Sequence, residues 1–71
     1  MTDLTLSVPE IHCDHCKTSI EGAVSALEGV ATVEVQVDAR TVRLTYDSAR
    51  VGESAVTAAI EEQGYEVAGP V

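Results

Sequence analysis

The chain has no phenylalanine and no tryptophan, and Tyr46 and Tyr65 are its only aromatic residues. Its interior therefore cannot be built on large rings; 11 valines and 9 alanines supply most of the 45% apolar fraction. Such a core is thin. Only short, well-patterned elements can bury it within 71 residues, a length near the lower limit for a domain that folds unaided. Basic residues are also scarce, with four Lys and Arg against 12 Asp and Glu and a net charge of −8. That balance repels a phosphate backbone and an anionic lipid surface, which excludes nucleic acid and membrane surfaces as partners. No apolar run approaches the length of a bilayer-spanning helix, so no membrane insertion is expected. The first nine residues lack the basic start and unbroken apolar stretch of an export signal, and Pro9 interrupts them. These absences leave a small cytoplasmic binding module, not an enzyme with a large cleft. Cysteine is sparse as well. In a reducing compartment the single pair Cys13 and Cys16 reads as a metal or redox site before a structural disulfide.

What is present is strongly patterned. Leu4, Leu6 and Val8 alternate with Thr5 and Ser7, the period of a half-buried strand that Pro9 ends. From Cys16 the period becomes helical, with Ile20, Ala23, Val24 and Leu27 on one side and Lys17, Glu21 and Glu28 on the other. Gly29 stands where a C-cap glycine is expected, and Gly22 within the helix reads as a close packing contact. Val33, Val35 and Val37 form a second strand, Asp38-Ala39-Arg40 a turn, and Val42, Leu44 and Tyr46 a third strand, hence an antiparallel hairpin. A loop over 47–52 leads to a second helix opening at Glu53 or Ser54, with Val56, Ala59 and Ile60 on its apolar face and Gln63-Gly64 closing it. Tyr65 to Val67 reads as a short fourth strand and 69–71 as a tail, the core spanning about 3–68 of a single domain. The order β-α-β-β-α-β predicts an α+β, ferredoxin-like fold, a four-stranded antiparallel sheet with both helices on one face.

The chemistry concentrates in Ile11-His12-Cys13-Asp14-His15-Cys16-Lys17. Cys13 is expected in the loop after the first strand and Cys16 at the first helical turn. There, unpaired backbone N–H groups and the positive end of the helix favour a thiolate. Two sulfurs three residues apart can converge on one soft ion. Zinc in a structural site takes four protein ligands, and this chain has no second Cys pair to supply them. Cu(I), content with two or three thiolates, fits the ligand count better.

With that motif at the strand-to-helix loop of this topology, the chain resembles the heavy-metal-associated domain family, and within it the bacterial copper chaperones, from Leu4 to about Val67. The family motif Met-x-Cys-x-x-Cys is met as Ile11-His12-Cys13-Asp14-His15-Cys16, with Ile11 in place of the Met that packs beneath the loop. The resemblance implies that Cys13 and Cys16 bind Cu(I). It also implies that Tyr65, in the Gln63-Gly64-Tyr65 run, lies beside the metal, while the residues alone read it equally as packing at the end of the sheet. By the same resemblance the partners are the metal-binding domains of a copper-transporting P-type ATPase and a copper-responsive regulator. Running from Met1 to Val71 without a linker, the chain reads as freestanding: a monomer without metal, a copper-bridged dimer through His15 being left open.

Other readings stand beside this one. His12 is a solvated loop residue or a third ligand. His15 points outward, tuning the thiolates or meeting a partner. Lys17 either offsets the charge of a bis-thiolate centre or pairs with Glu21 at i,i+4 spacing. Glu53, Glu61, Glu62 and Glu66 form a solvated face or steer docking onto a basic patch of a partner. A zinc or cadmium carrier would draw on Asp14, His12 and His15, and a thiol-disulfide redox protein would cycle the Cys pair.

Overall fold

A computed structural model describes all of residues 1–71 and contains four strands and two helices: β1 (Thr2–Ser7), α1 (Asp14–Ser25), β2 (Val30–Gln36), β3 (Thr41–Tyr46), α2 (Glu53–Glu62) and β4 (Gly69–Pro70). They form one antiparallel sheet in the order β2-β3-β1-β4. Its register explains the alternation. Leu4 pairs with Leu44 and Leu6 with Val42, while Val33 and Val35 lie opposite the same two β3 residues from the other side. One face of the sheet is thus apolar, and Val35, Val42, Leu44 and Leu6 are buried on it. The other face carries Thr5, Arg43 and Glu34 in one row and Asp3, Thr45 and Thr32 in the next, with the hydroxyls of Thr32 and Thr45 bonded at 2.6 Å.

Both helices cover the apolar face. Ile20 and Val24 of α1 and Val56, Ala59 and Ile60 of α2 are buried against it. Each large aliphatic side chain buried this way contributes about 1.5–3 kcal/mol, and in so small a domain few can be lost. Tyr46 belongs to the core, as its strand pattern implies, whereas Val51, in the loop before α2, is buried without any periodicity to announce it.

Four local expectations are corrected. The fourth strand is Gly69–Pro70, not Tyr65–Val67, so the segment read as a tail is part of the sheet. Ala68 and Val71 donate their N–H groups to Ser7 and Thr5 of β1 at 2.8 and 2.9 Å, and Pro70, which has none to donate, sits between them on an edge strand. α1 ends at Ser25, before Gly29. A turn follows in which Leu27 and Val30 donate to Val24 and Leu27, and Gly29 takes φ +100. Gly22 marks no close contact, since a Cβ there would meet nothing within 4 Å. Glu21 does not pair with Lys17. Its carboxylate accepts the Val35 N–H at 3.0 Å, which occupies a backbone donor on the sheet's β2 edge.

Candidate metal centre

The loop after β1 is held from beneath. Ile11 is fully buried and its N–H bonds to the Val8 carbonyl at 3.1 Å, so the apolar anchor expected below the loop is in place without a thioether. The chain then turns outward, and Cys13, extended at φ −158 and ψ 168, becomes the N-cap of α1. Its carbonyl accepts the Lys17 N–H at 3.3 Å, while its side chain makes no capping hydrogen bond. Most helices place Ser, Thr, Asp or Asn here to satisfy an orphan N–H. A sulfur leaves the first turn open, and Cys16 stands within that turn.

The two sulfurs lie 3.5 Å apart, Cys13 half-buried and Cys16 only 3% exposed. No disulfide joins them. The Cys16 thiol is lowered from its ordinary 9.0 to about 7, chiefly because the Tyr65 hydroxyl donates toward the thiolate. Backbone donation from His12 and both Cys13 groups add to this, and burial opposes it. Tyr65 is held protonated in return: its hydroxyl is pushed above its ordinary 10.0, first by the same hydrogen bond to Cys16. Tyr65 packs against the buried cluster that contains Cys16, although it lies outside any strand.

Of the two histidines, the structure brings one to the sulfurs. A ring nitrogen of His12 and the sulfurs of Cys13 and Cys16 all lie within 4.8 Å of one another, a group able to hold a metal ion. His15 is exposed and outside that group. Lys17 is half-buried and forms no ion pair; the single ion pair, Arg50 with Glu28 at 3.9 Å, is far from the cysteines in sequence and exposed, a geometry that contributes little. Sequence reasoning missed Glu10. Its carbonyl accepts a hydrogen bond from His12 Nδ1 at 2.8 Å, and its carboxylate accepts the Glu66 N–H at 2.6 Å. Glu10 thus ties the loop before α1 to the loop carrying Tyr65, across 56 positions of sequence. No periodicity or motif signals such a bond.

The heavy-metal-associated domain family matches residues 5–66, which takes in the cysteine pair, both helices and Tyr65. The chain belongs to that family. A copper chaperone CopZ of Staphylococcus haemolyticus is 40% identical over 67 residues, covering 94% of this chain and 98% of that protein. Among solved structures, a putative copper-ion-binding protein from Bacillus anthracis superposes with a TM-score of 0.89 at 44% identity, covering 93% of each chain. A copper binding domain from HMA7, a P-type ATPase, superposes at 0.93 over all of this chain and 95% of that one; at 24% identity it shows a shared fold and no more. As a heavy-metal-associated domain, the chain places its cysteine pair at the start of α1, and no helix in it is long and apolar enough to cross a membrane.

Proposed function

We propose that this protein is a cytoplasmic copper chaperone, not an enzyme: Cys13 and Cys16 bind one Cu(I) and release it to a metal-binding domain of a copper-transporting P-type ATPase. The observation that carries this reading is the pair of free sulfurs 3.5 Å apart at the uncapped start of α1. Two thiolates satisfy a soft monovalent ion. The resulting centre has one net negative charge, and it sits where the open N–H groups of the first turn and the Tyr65 hydroxyl face it. The copper chaperone relative, 40% identical over 67 residues, supports the chaperone reading.

Transfer proceeds by ligand exchange. A partner thiolate approaches from the side of Cys13, the less buried sulfur, and adds to Cu(I) to give a three-sulfur intermediate. Cys13 leaves first, and a second partner thiolate then displaces Cys16. No electron moves: each partner sulfur enters as a thiolate, its proton given to solvent, and each sulfur that leaves departs as a thiolate that equilibrates with solvent protons. The exposed acids Glu61, Glu62 and Glu66 near the end of α2 favour a partner with a basic docking face, by charge complementarity.

The test is to mix the Cu(I)-loaded protein anaerobically with such an apo ATPase domain, separate the two, and measure copper in each. Copper redistributing between them, also in the presence of a competing chelator, is the expected result. Copper that reaches the domain only by way of the chelator-accessible pool contradicts the reading.

A further inference from the structure

The His12 ring is oriented, not merely nearby. Its Nδ1 lies 2.8 Å from the Glu10 carbonyl oxygen, which can only accept, so Nδ1 carries the proton of that bond. The lone pair of the neutral imidazole then resides on Nε2. A ligating histidine is usually held in this way, its other nitrogen donating to a backbone carbonyl or carboxylate that fixes tautomer and ring direction. The supporting carbonyl is itself anchored, because the Glu10 carboxylate is bonded to the Glu66 backbone at 2.6 Å. The ring stands with the sulfurs, one of its nitrogens lying within 4.8 Å of both, and with Nδ1 bonded to Glu10 the nitrogen left to act as a third donor is Nε2.

We propose that His12 is a third ligand, engaged by a borderline divalent ion of the Zn(II) class and dispensable for Cu(I). This rests on the reading of Cys13 and Cys16 as the metal site. Cu(I) is soft and is satisfied by the sulfurs alone, whereas imidazole suits Zn(II). A set of two Cys and one His leaves Zn(II) a fourth position for water or an incoming ligand, as in open zinc sites. His15, exposed and outside the cluster, supplies no such donor. The same loop therefore discriminates between ions by how many of its donors each one uses.

The experiment compares the wild-type protein with His12→Ala, His15→Ala and Cys13→Ser, each titrated anaerobically with Zn(II) and, separately, with Cu(I) against chromogenic chelators. His12 is exposed, so its replacement leaves the core untouched. His12→Ala is expected to weaken Zn(II) about 10–100-fold, the range in which loss of a metal-supporting group falls, and to leave Cu(I) unchanged. His15→Ala is expected to change neither ion. In ¹⁵N spectra of the imidazoles, Zn(II) should shift Nε2 of His12 while its Nδ1–H persists. Equal Zn(II) affinity in His12→Ala and wild type, or equal losses in the two histidine variants, overturns the assignment of His12. Cu(I) binding that survives Cys13→Ser overturns the underlying thiolate site instead, so the two failures are distinct.

Discussion

The two ends of the domain are built on opposite terms. At one end the turn after α1 meets the loop before α2, and backbone closes on backbone. Asp47 donates its N–H to the Gly29 carbonyl at 2.8 Å, Arg50 and Val51 donate back to Asp47, and the Asp47 carboxylate accepts the Ala49 N–H at 3.0 Å. Gly29, at φ +100, lies so close to this loop that a Cβ would fall 2.8 Å from that of Arg50. At the other end, β1 runs into α1 through a loop whose N-cap sulfur caps nothing and whose second sulfur has its pKa lowered to about 7, first by the Tyr65 hydroxyl. That end is joined to the Tyr65 loop by side chains, the Glu10 carboxylate accepting the Glu66 N–H and the Tyr65 hydroxyl donating toward Cys16. The far end uses its donors and acceptors on itself, while the cysteine end leaves the first turn of α1 without a side-chain cap. Stability and binding are therefore separable in this chain, and substitutions at the two ends should move one without the other.

The largest separation is expected at Cys13. Replacing it by Ser should abolish Cu(I) binding and at the same time give α1 a hydroxyl suited to the N-cap. Thermal unfolding of the metal-free variant should show a gain of a few tenths to about 1 kcal/mol, since a good cap is worth about 0.5–2 kcal/mol over none. A loss of stability would mean that the sulfur packs more than it binds. The converse substitution is Gly29→Ala. It combines an unfavourable positive φ with the approach to Arg50 and Val51, and should cost at least about 1–2 kcal/mol in denaturant unfolding. Its Cu(I) stoichiometry should stay at the wild-type value.

How much of this was legible in the sequence follows the same division. Strands that alternate and helices that repeat are read directly, because Leu6, Val35, Val42, Leu44, Ile20, Val56 and Ile60 each lie on the face their period assigns and are buried. β4 is invisible to that method: two residues, one of them Pro, carry no alternation, and the strand exists only because Ser7 and Thr5 offer carbonyls to the residues beside it. Burial of Val51 likewise depends on how two loops meet, not on a local pattern. At the cysteine end, the spacing of Cys13 and Cys16 before a helical period located the pair at the start of α1, whereas the expectation for Tyr65 came from family resemblance and from no pattern in the residues. The separation of His12 from His15 could not be read, since both flank a cysteine; the fold sets the His12 ring with the sulfurs and against the Glu10 carbonyl and leaves His15 outside.

A subtler effect is expected at Tyr65. Its hydroxyl is the main reason the Cys16 thiol titrates near 7, so Tyr65→Phe should move the midpoint of Cys16 alkylation upward from about 7 toward 9.0. Modification at pH 7 should slow accordingly. Because the folded value lies below the ordinary one, ionisation of Cys16 favours the fold fully above pH 9, and this contribution is lost as the pH falls through 7. An unchanged alkylation profile would remove Tyr65 from the site. The smallest effect belongs to Gly22, exposed in mid-helix with open space around it. Gly22→Ala should stabilise the protein by about 0.5–1 kcal/mol and leave metal binding as it is.

The central claim is that one end of the fold holds the ion and the other holds the fold. An anaerobic Cu(I) competition titration against a chromogenic chelator, run on wild type, Gly29→Ala and Cys13→Ser under conditions where all three are folded, tests it most directly. One Cu(I) per chain in the wild type and in Gly29→Ala, and none in Cys13→Ser, is the predicted result. Copper retained by folded Cys13→Ser, or lost from folded Gly29→Ala, would contradict it.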